Sequence, residues 1–301
     1  MEDVTRTIRE LAERVGGAVV SIGRDWGRGS GVVIDEGWVL TNAHNLRGQE
    51  VTVVFSGGRV EKGRVAGADI DGDLAAISVH TADAPAVAWL PKDAEVTVGT
   101  PVFALTNPGG RSVRATFGLV SSVGQAFRGP RGRRIVDAIE HTAPLARGSS
   151  GGPVLDRNGY LLGLNTHRRG EGFYLALPAT DELRVRVDGL IHGEQPRRPR
   201  LGIAVAPPEV ARRMRLAVGL PERHGLLVRW VDEDGPAARA GVRQGDLLVA
   251  AADTPLGGSD DLFAILEQLE EEAALPLQVV RGSDELSLAV TFSDTREEGE
   301  V

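Results

Sequence analysis

The sequence predicts a mainly β fold in two parts, an all-β barrel or sandwich followed by a smaller mixed domain. Three observations carry this. Short runs rich in aliphatic and β-branched residues, separated by glycine-bearing turns, fill residues 18–177. Residues 193–200, with two prolines and three arginines, read as a linker. Beyond them strands are interleaved with helical spacing, over the length of an ordinary small domain.

Taken in order, Val4, Ile8, Leu11 and Val15 recur at helical spacing, which predicts an amphipathic helix packed on its own domain rather than a membrane anchor. Strands are expected at 18–22, 31–34, 38–41, 51–55 and 74–79, then at 102–105, 114–120, 134–138, 153–155, 161–165 and 174–177. Residues 181–191 read as a closing helix. After the linker come strands at 201–205 and 225–231, a short helix at 236–240 stopped by Gly241, and a strand at 246–251. An amphipathic helix over 259–272 and strands at 275–280 and 286–292 complete the unit, and the acidic residues 294–301 form a frayed tail.

With 301 residues, 42% of them hydrophobic and 25% charged, the chain has the balance of an ordered globular protein long enough for two or three domains. Its formal net charge of -8 gives no support to nucleic-acid binding. The absence of cysteine excludes a disulfide framework, a thiolate metal site and a cysteine nucleophile. No stretch approaches the roughly 20 apolar residues of a membrane span. Residues 1–16 are rich in Glu and Arg and lack the apolar core of a signal peptide. As written the chain is expected in the cytoplasm; removal of an export signal would leave the same picture and an extracytoplasmic location.

The most informative segment is Gly148-Ser149-Ser150-Gly151-Gly152-Pro153. A serine enclosed by glycines sits where the backbone bends sharply and approaches a ligand closely. Such a loop exposes a hydroxyl and turns neighbouring N–H groups towards one point, as an oxyanion hole requires. Two upstream segments, Thr41-Asn42-Ala43-His44 and Asp73-Leu74-Ala75-Ala76-Ile77, add a base and an orienting carboxylate, in the order His, Asp, Ser. Among six histidines, His44 alone lies just after a strand in a small, polar setting, whereas His80, His141, His167, His192 and His224 read as surface or loop residues. Asp73 opens an apolar strand that can draw its carboxylate inward; Asp69 and Asp71 read as loop acids. Asp69-Ile70-Asp71-Gly72-Asp73 is not a calcium loop, because Leu74 and His80 stand where such a loop needs glycine and glutamate. Gly27-Arg28-Gly29-Ser30-Gly31 leads into a strand and not a helix, so it lacks the phosphate-binding mechanism. No metal site and no cofactor emerge.

These segments, with Asn107-Pro108-Gly109, Gly118-Leu119-Val120-Ser121-Ser122 and Gly163-Leu164-Asn165-Thr166, resemble the HtrA (DegP-like) family of serine proteases along nearly the whole chain. Arg198-Pro199-Arg200-Leu201-Gly202-Ile203 and Asp234-Gly235-Pro236-Ala237-Ala238-Arg239-Ala240-Gly241, followed by Gln244-Gly245-Asp246-Leu247-Leu248, are similar to that family's PDZ signature. The resemblance implies a chymotrypsin/trypsin-like double six-stranded β-barrel over 1–192, with an N-terminal helix over 1–16. It then implies a linker at 193–200 and an α+β PDZ domain over 201–293. Ser150 would be the nucleophile, His44 the general acid/base and Asp73 the orienting carboxylate, with the N–H groups of Gly148 and Ser150 as the oxyanion hole. Leu145, Asn165, Thr166 and His167 match positions that shape the primary specificity pocket, and the lack of an acid at its base implies cleavage after small or medium aliphatic residues. In the second domain, the N–H groups of Leu201, Gly202 and Ile203 would receive a peptide's terminal carboxylate, beside a helix bearing Leu262, Phe263 and Leu266.

The activity implied is ATP-independent endoproteolysis of unfolded or damaged polypeptides, with peptide C-termini as PDZ ligands; the competing reading is a peptide-binding chaperone or scaffold whose protease site is switched off. Departures from the family pattern are Ser149 in place of asparagine, Thr106 in place of glycine, and Pro144-Leu145-Ala146-Arg147 in the activation loop. A homotrimer is implied by family, yet the aromatic residues that pin it are absent from residues 1–22.

Overall fold

The computed structural model describes residues 2–23, 29–130, 132–194, 199–269 and 273–292. Residues 195–198 of the expected linker, 270–272 at the end of an expected helix and the 294–301 tail lie outside them. The chain divides into two compact units, Met1–Pro196 and Arg197–Val301.

The first unit holds two closed barrels. Strands β1 (Val19–Ile22), β2 (Gly29–Asp35), β3 (Trp38–Thr41), β4 (Glu50–Val54), β5 (Val60–Asp69) and β6 (Leu74–Ser78) close in the order β1-β2-β3-β6-β5-β4. Strands β7 (Pro101–Thr106), β8 (Arg114–Arg128), β9 (Arg134–His141), β10 (Pro153–Leu155), β11 (Leu161–Arg168) and β12 (Tyr174–Pro178) close in the order β10-β11-β12-β9-β8-β7. Each barrel is antiparallel and closed, so neither leaves an edge strand. Leu40, Leu74 and Ile77 fill the first barrel, and Leu105, Leu155 and Leu164 belong to the same continuous core. Burying each such side chain contributes roughly 1.5–3 kcal/mol.

Two helices cover this core. In α1 (Glu2–Val15), Val4, Ile8, Leu11 and Val15 face inward as their spacing predicts, with Glu2 and Asp3 at the positive end of the helix dipole. In α2 (Asp181–Ile191), the Thr180 side chain caps the helix by accepting from the Leu183 N–H, and Leu183, Val187 and Leu190 are buried.

The second unit is a sheet of β13 (Ile203–Ala206), β14 (Leu226–Val231), β15 (Leu247–Ala251), β16 (Thr254–Pro255), β17 (Leu275–Arg281) and β18 (Asp284–Val290), ordered β13-β14-β15-β17-β18 with β16 beside β15. Helices α3 (Pro208–Ala217), α4 (Pro236–Arg239) and α5 (Ser259–Gln268) pack around it. Strand β13 is an edge. The carboxylate of fully buried Asp246 receives two guanidinium N–H groups of Arg281 and the Arg243 N–H, all at 2.8 Å, so its charge is paired.

Strand β5 and helix α3 have no counterpart among the sequence expectations. β5 alternates in burial as a half-buried strand should, but glycines and charges interrupt its pattern. α3 starts at Pro208, where proline at the first helical turn is allowed, and carries Arg212 and Arg213 on its solvent face while Arg215 is buried.

One contact in the second barrel lets the chain after β9 lie close to β8. A Cβ at Gly118 would sit 2.6 Å from the Thr142 carbonyl carbon and 2.7 Å from Ala143 Cα, both backbone atoms of the segment leading towards Ser150. Gly118→Ala is expected to lower the stability of the first unit by about 1–3 kcal/mol in urea unfolding, the usual cost of overpacking. A change within about 0.5 kcal/mol would show that the two segments part freely.

Candidate active site

Sheet register brings His44 and Asp73 together. Thr41 at the end of β3 pairs with Ala75 near the start of β6, so the residues just after β3 and just before β6 emerge at the same barrel end. His44 lies there in a short 3-10 turn, and Asp73 immediately precedes β6. Asp73 takes a left-handed backbone conformation, φ 54°, of the kind Asp tolerates better than most side chains. The Asn42 amide donates to its carbonyl at 2.9 Å.

The Asp73 side chain is 2% exposed and that of His44 is 34% exposed. His44 Nδ1 is 2.9 Å from both carboxylate oxygens, and the His44 main-chain N–H donates to Oδ1 at 3.1 Å. Thr166 Oγ1 donates to Oδ2 at 2.7 Å. Because a carboxylate accepts, Nδ1 must carry the hydrogen, which leaves Nε2 of a neutral imidazole as a free acceptor. The neighbouring acid Asp69, expected to be a loop acid, is instead 3% exposed, accepts from the Gly72 N–H at 2.9 Å and pairs with Arg186 of α2 at 2.8 Å. That pairing holds the turn before Asp73 against α2.

Ser150 lies between β9 and β10, in a turn closed by the Gly152 N–H donating to the Ser149 carbonyl at 3.0 Å. Gly151 takes φ 86°, as the third position of a type II turn requires. The first barrel grips this turn. The Ser30 N–H and the Asn45 side chain both donate to the Ser150 carbonyl, at 2.8 Å and 3.0 Å. The Ser30 hydroxyl donates to the Gly148 carbonyl at 2.9 Å and accepts from the Asn107 N–H at 3.0 Å. A carbonyl held this way turns the next N–H in the opposite direction across the planar peptide, so the bonds to the Gly148 and Ser150 carbonyls orient the N–H groups of Ser149 and Gly151, the latter onto the Asn165 carbonyl at 2.7 Å. Among the described residues the Gly148 and Ser150 N–H groups make no hydrogen bond.

The Ser150 hydroxyl donates to the Thr166 carbonyl at 3.0 Å, and among the described residues no hydrogen bond joins it to His44. Thr166 therefore holds Asp73 with its side chain and Ser150 with its main chain, which brings all three predicted residues to one place.

The expected pocket residues divide differently. Asn165 and Thr166 are buried with their polar groups turned onto the site scaffold: Asn165 Nδ2 donates to the Gly152 carbonyl at 3.0 Å, and Thr166 binds Asp73. Both spend these donors internally, as a buried amide or hydroxyl must. Leu145 is half-buried against the second-barrel core, and His167 is exposed with its ring stacked 5.7 Å from that of Phe127. His141, expected at the surface, is fully buried, with Nε2 3.0 Å from Asn165 Oδ1. Sequence reasoning missed Ser30 and Asn45 as well. The glycines around Ser30, set aside as a phosphate loop and otherwise matching the family pattern, were the available signal.

In the second unit, the Leu201 carbonyl accepts from the Ala237 N–H at 2.9 Å and the Gly202 carbonyl from the Asp232 N–H at 2.8 Å. By the same peptide geometry, the following N–H groups, those of Gly202 and Ile203, face the other way. Leu262 and Leu266 are buried in this unit's core, while Phe263 is half-buried. The described residues hold no cluster of His, Cys, Asp and Glu that fits a metal ion.

The sequence profile of the trypsin-like peptidase domain matches residues 29–164, and that of the PDZ domain matches residues 199–292. A putative serine protease HhoA of Synechocystis sp. is 34% identical over 283 residues, covering 90% of this chain and 71% of that protein. The chloroplastic Protease Do-like 1 of Arabidopsis thaliana is 30% identical over 297 residues, covering 90% of this chain and 65% of its own length. The structure of the HtrA-type protease AlgW with a tripeptide superposes with a TM-score of 0.58 at 26% identity, covering 94% of this chain and 96% of that one.

Two outcomes follow from this geometry. A Cβ at Gly151 would lie 2.5 Å from Thr41 Oγ1 and closer still to the Ser30 carbonyl, at a φ that disfavours any side chain. Gly151→Ala is expected to slow phosphonylation of Ser150 by a fluorophosphonate roughly 100-fold or more, the scale of about 1 Å of misplacement; an unchanged rate would mean the turn is not held as described. Burial pushes the His141 imidazole down to about 4, against a smaller upward pull from its bond to Asn165. Above the unfolded value of 6.5 it is neutral in both states; as pH falls towards 4 the unfolded chain takes up the proton first, so stability is lost through that window. Compared with His141→Gln, the native protein should lose about 2 kcal/mol more between pH 7 and pH 5 in urea unfolding. Parallel pH profiles would contradict this.

Proposed function

Since this chain belongs to the HtrA-type family of serine proteases, with a trypsin-like peptidase domain followed by a PDZ domain, we propose that it hydrolyses peptide bonds through His44, Asp73 and Ser150. The observation that carries this is the buried Asp73 carboxylate, which binds His44 Nδ1 and the Thr166 hydroxyl while the Thr166 carbonyl holds the Ser150 hydroxyl.

Ser150 Oγ leaves Thr166, rotates to His44 Nε2 and attacks the substrate carbonyl carbon as Nε2 takes its proton. The oxygen that gains charge is stabilised by the Gly148 and Ser150 N–H groups. His44 returns the proton to the departing amine, the C–N bond breaks, and water cleaves the resulting ester by the reverse proton path. Asp73 remains charged and stabilises the imidazolium at each step. The resting Ser150–Thr166 bond supports a site that is held idle until substrate or an effector turns the hydroxyl. It also gives the alternative reading, a switched-off protease acting as a peptide-binding scaffold, its one specific support.

In the second unit, edge strand β13 is free to take an added peptide strand, with its terminal carboxylate at the N–H groups of Leu201, Gly202 and Ile203. Leu262 and Leu266 shape the groove from within the core, and Phe263 is the member of that set with a side chain partly open to solvent. Unfolded or damaged polypeptides are the substrates this pairing fits, because an extended chain satisfies both a protease cleft and a sheet edge. Small or medium aliphatic residues before the cleaved bond fit the apolar Leu145. No helix among the described residues is long and apolar enough to cross a membrane; the chloroplastic relative supports an extracytoplasmic place, and the family supports a homotrimer.

Incubating unfolded casein with the native protein and with Ser150→Ala tests the proposal. Release of fragments by the native chain, reduced roughly 10⁴–10⁶-fold in the variant, is the expected result. Equal cleavage by both would overturn the assignment of Ser150. Absence of cleavage by either, with aggregation suppressed by both, would favour the scaffold.

A further inference from the structure

The second barrel buries one histidine that the chemistry above does not use. His141 ends β9 and is fully buried, paired across the sheet with Tyr174 of β12 and Val120 of β8. Its ring stacks on Tyr174 with centroids 5.9 Å apart. Nε2 lies 3.0 Å from Asn165 Oδ1, and Nδ1 is buried with no partner among the described residues.

The tautomer follows from the neighbours. The Gly152 carbonyl receives both the main-chain N–H of Asn165, at 2.9 Å, and its Nδ2, at 3.0 Å. A carbonyl only accepts, so the amide NH2 must face Gly152 and Oδ1 must face the imidazole. The imidazole must then offer an N–H, which places its hydrogen on Nε2. Completing the set, the Gly151 N–H donates to the Asn165 carbonyl at 2.7 Å. One asparagine thus grips both glycines that follow Ser150, and its orientation is fixed from behind by one histidine.

We propose that His141 is a positioning residue for the nucleophile: its Nε2–H locks the Asn165 amide, which clamps Gly151 and Gly152 and so holds the turn that presents Ser150. The inference rests on Ser150 being the nucleophile. Without the imidazole N–H, the Asn165 amide can flip and set Oδ1 against the Gly152 carbonyl, two acceptors facing each other in a buried place. The first barrel would still hold the Ser150 carbonyl through Ser30 and Asn45, but the far side of the turn would be loose. Looseness of that kind lowers the rate of attack and leaves substrate affinity nearly unchanged.

The test uses the full chain and two readouts, the rate of Ser150 phosphonylation by a fluorophosphonate and kcat with KM on a peptide substrate. In the labelling step Ser150 Oγ attacks phosphorus, the P–F bond breaks, fluoride leaves and His44 takes the proton. His141→Leu, similar in volume but without a donor, is expected to slow labelling and kcat by roughly 10–100-fold with KM within about twofold. His141→Gln, whose side-chain N–H can occupy the place of the imidazole Nε2–H, should recover most of the rate. Asn165→Asp keeps the acceptor for His141 but turns an oxygen onto Gly152, and should slow labelling as His141→Leu does, so the result does not hang on one variant's folding. Labelling of His141→Leu and Asn165→Asp at the native rate would overturn the proposal, as would failure of Gln where Leu fails equally. No labelling of the native chain would overturn the nucleophile assignment and this inference with it; native labelling shared by the variants overturns this inference alone.

Discussion

The Asp73 carboxylate is a charge taken out of water, and the arrangement of the first unit follows from the need to satisfy it. A buried carboxylate without donors costs several kcal/mol, so its two oxygens receive the His44 ring and main-chain N–H groups and the Thr166 hydroxyl. Two of those donors come from the first barrel and one from the second. The carboxylate therefore fixes the histidine tautomer and ties the barrels together at the point where Ser150 is presented. Asn42 on its carbonyl and the Asp69–Arg186 pair beside it hold the left-handed residue in place.

A second set of bonds works in the opposite direction, from the first barrel onto the Ser150 turn. Ser30 contributes its N–H and hydroxyl, Asn45 its amide, and the Ser150 and Gly148 carbonyls accept. The Thr41 hydroxyl completes this layer by donating to the Ser30 carbonyl at 2.7 Å and accepting from Asn45 at 3.0 Å. Asn45 and the hydroxyls of Ser30 and Thr41 each bond two neighbours, so a shift of one strand disturbs the Ser150 loop as well as the barrel. Asn165 and His141 close the layer from the second barrel.

Much of this was legible in the sequence where a residue's chemistry and its local pattern agree. His44, Asp73 and Ser150 sit in short segments whose glycines, strand starts and polar neighbours announce a bend and a buried charge, and the glycine-punctuated runs gave most of the strands. Closure into two six-stranded barrels needed the resemblance, since periodicity alone leaves barrel and sandwich equal. The supporting residues were not legible, because their role depends on partners far apart in the chain: Ser30 meets Gly148, Asp69 meets Arg186, and His141 meets Asn165. A lone histidine in an alternating segment carries no mark of the face it occupies, and one residue of register decides between solvent and core. Strand β5 escaped for a related reason. Its Gly63 and Gly67 look like breakers, yet they let the strand approach Ile77 and the Leu190 backbone within distances a Cβ would close to 2.6 Å.

Ser150 rests on Thr166, and on the proposed mechanism it reacts only after turning towards His44. A crystal structure of the phosphonylated protein tests it directly. The account predicts phosphorus on Ser150 Oγ, the Oγ–Thr166 contact broken, and the phosphonyl oxygen within hydrogen-bond distance of the Gly148 and Ser150 N–H groups, with His44 and Asp73 unmoved. A Ser150 side chain in its resting position with that oxygen facing solvent, or phosphorus on another residue, would contradict it.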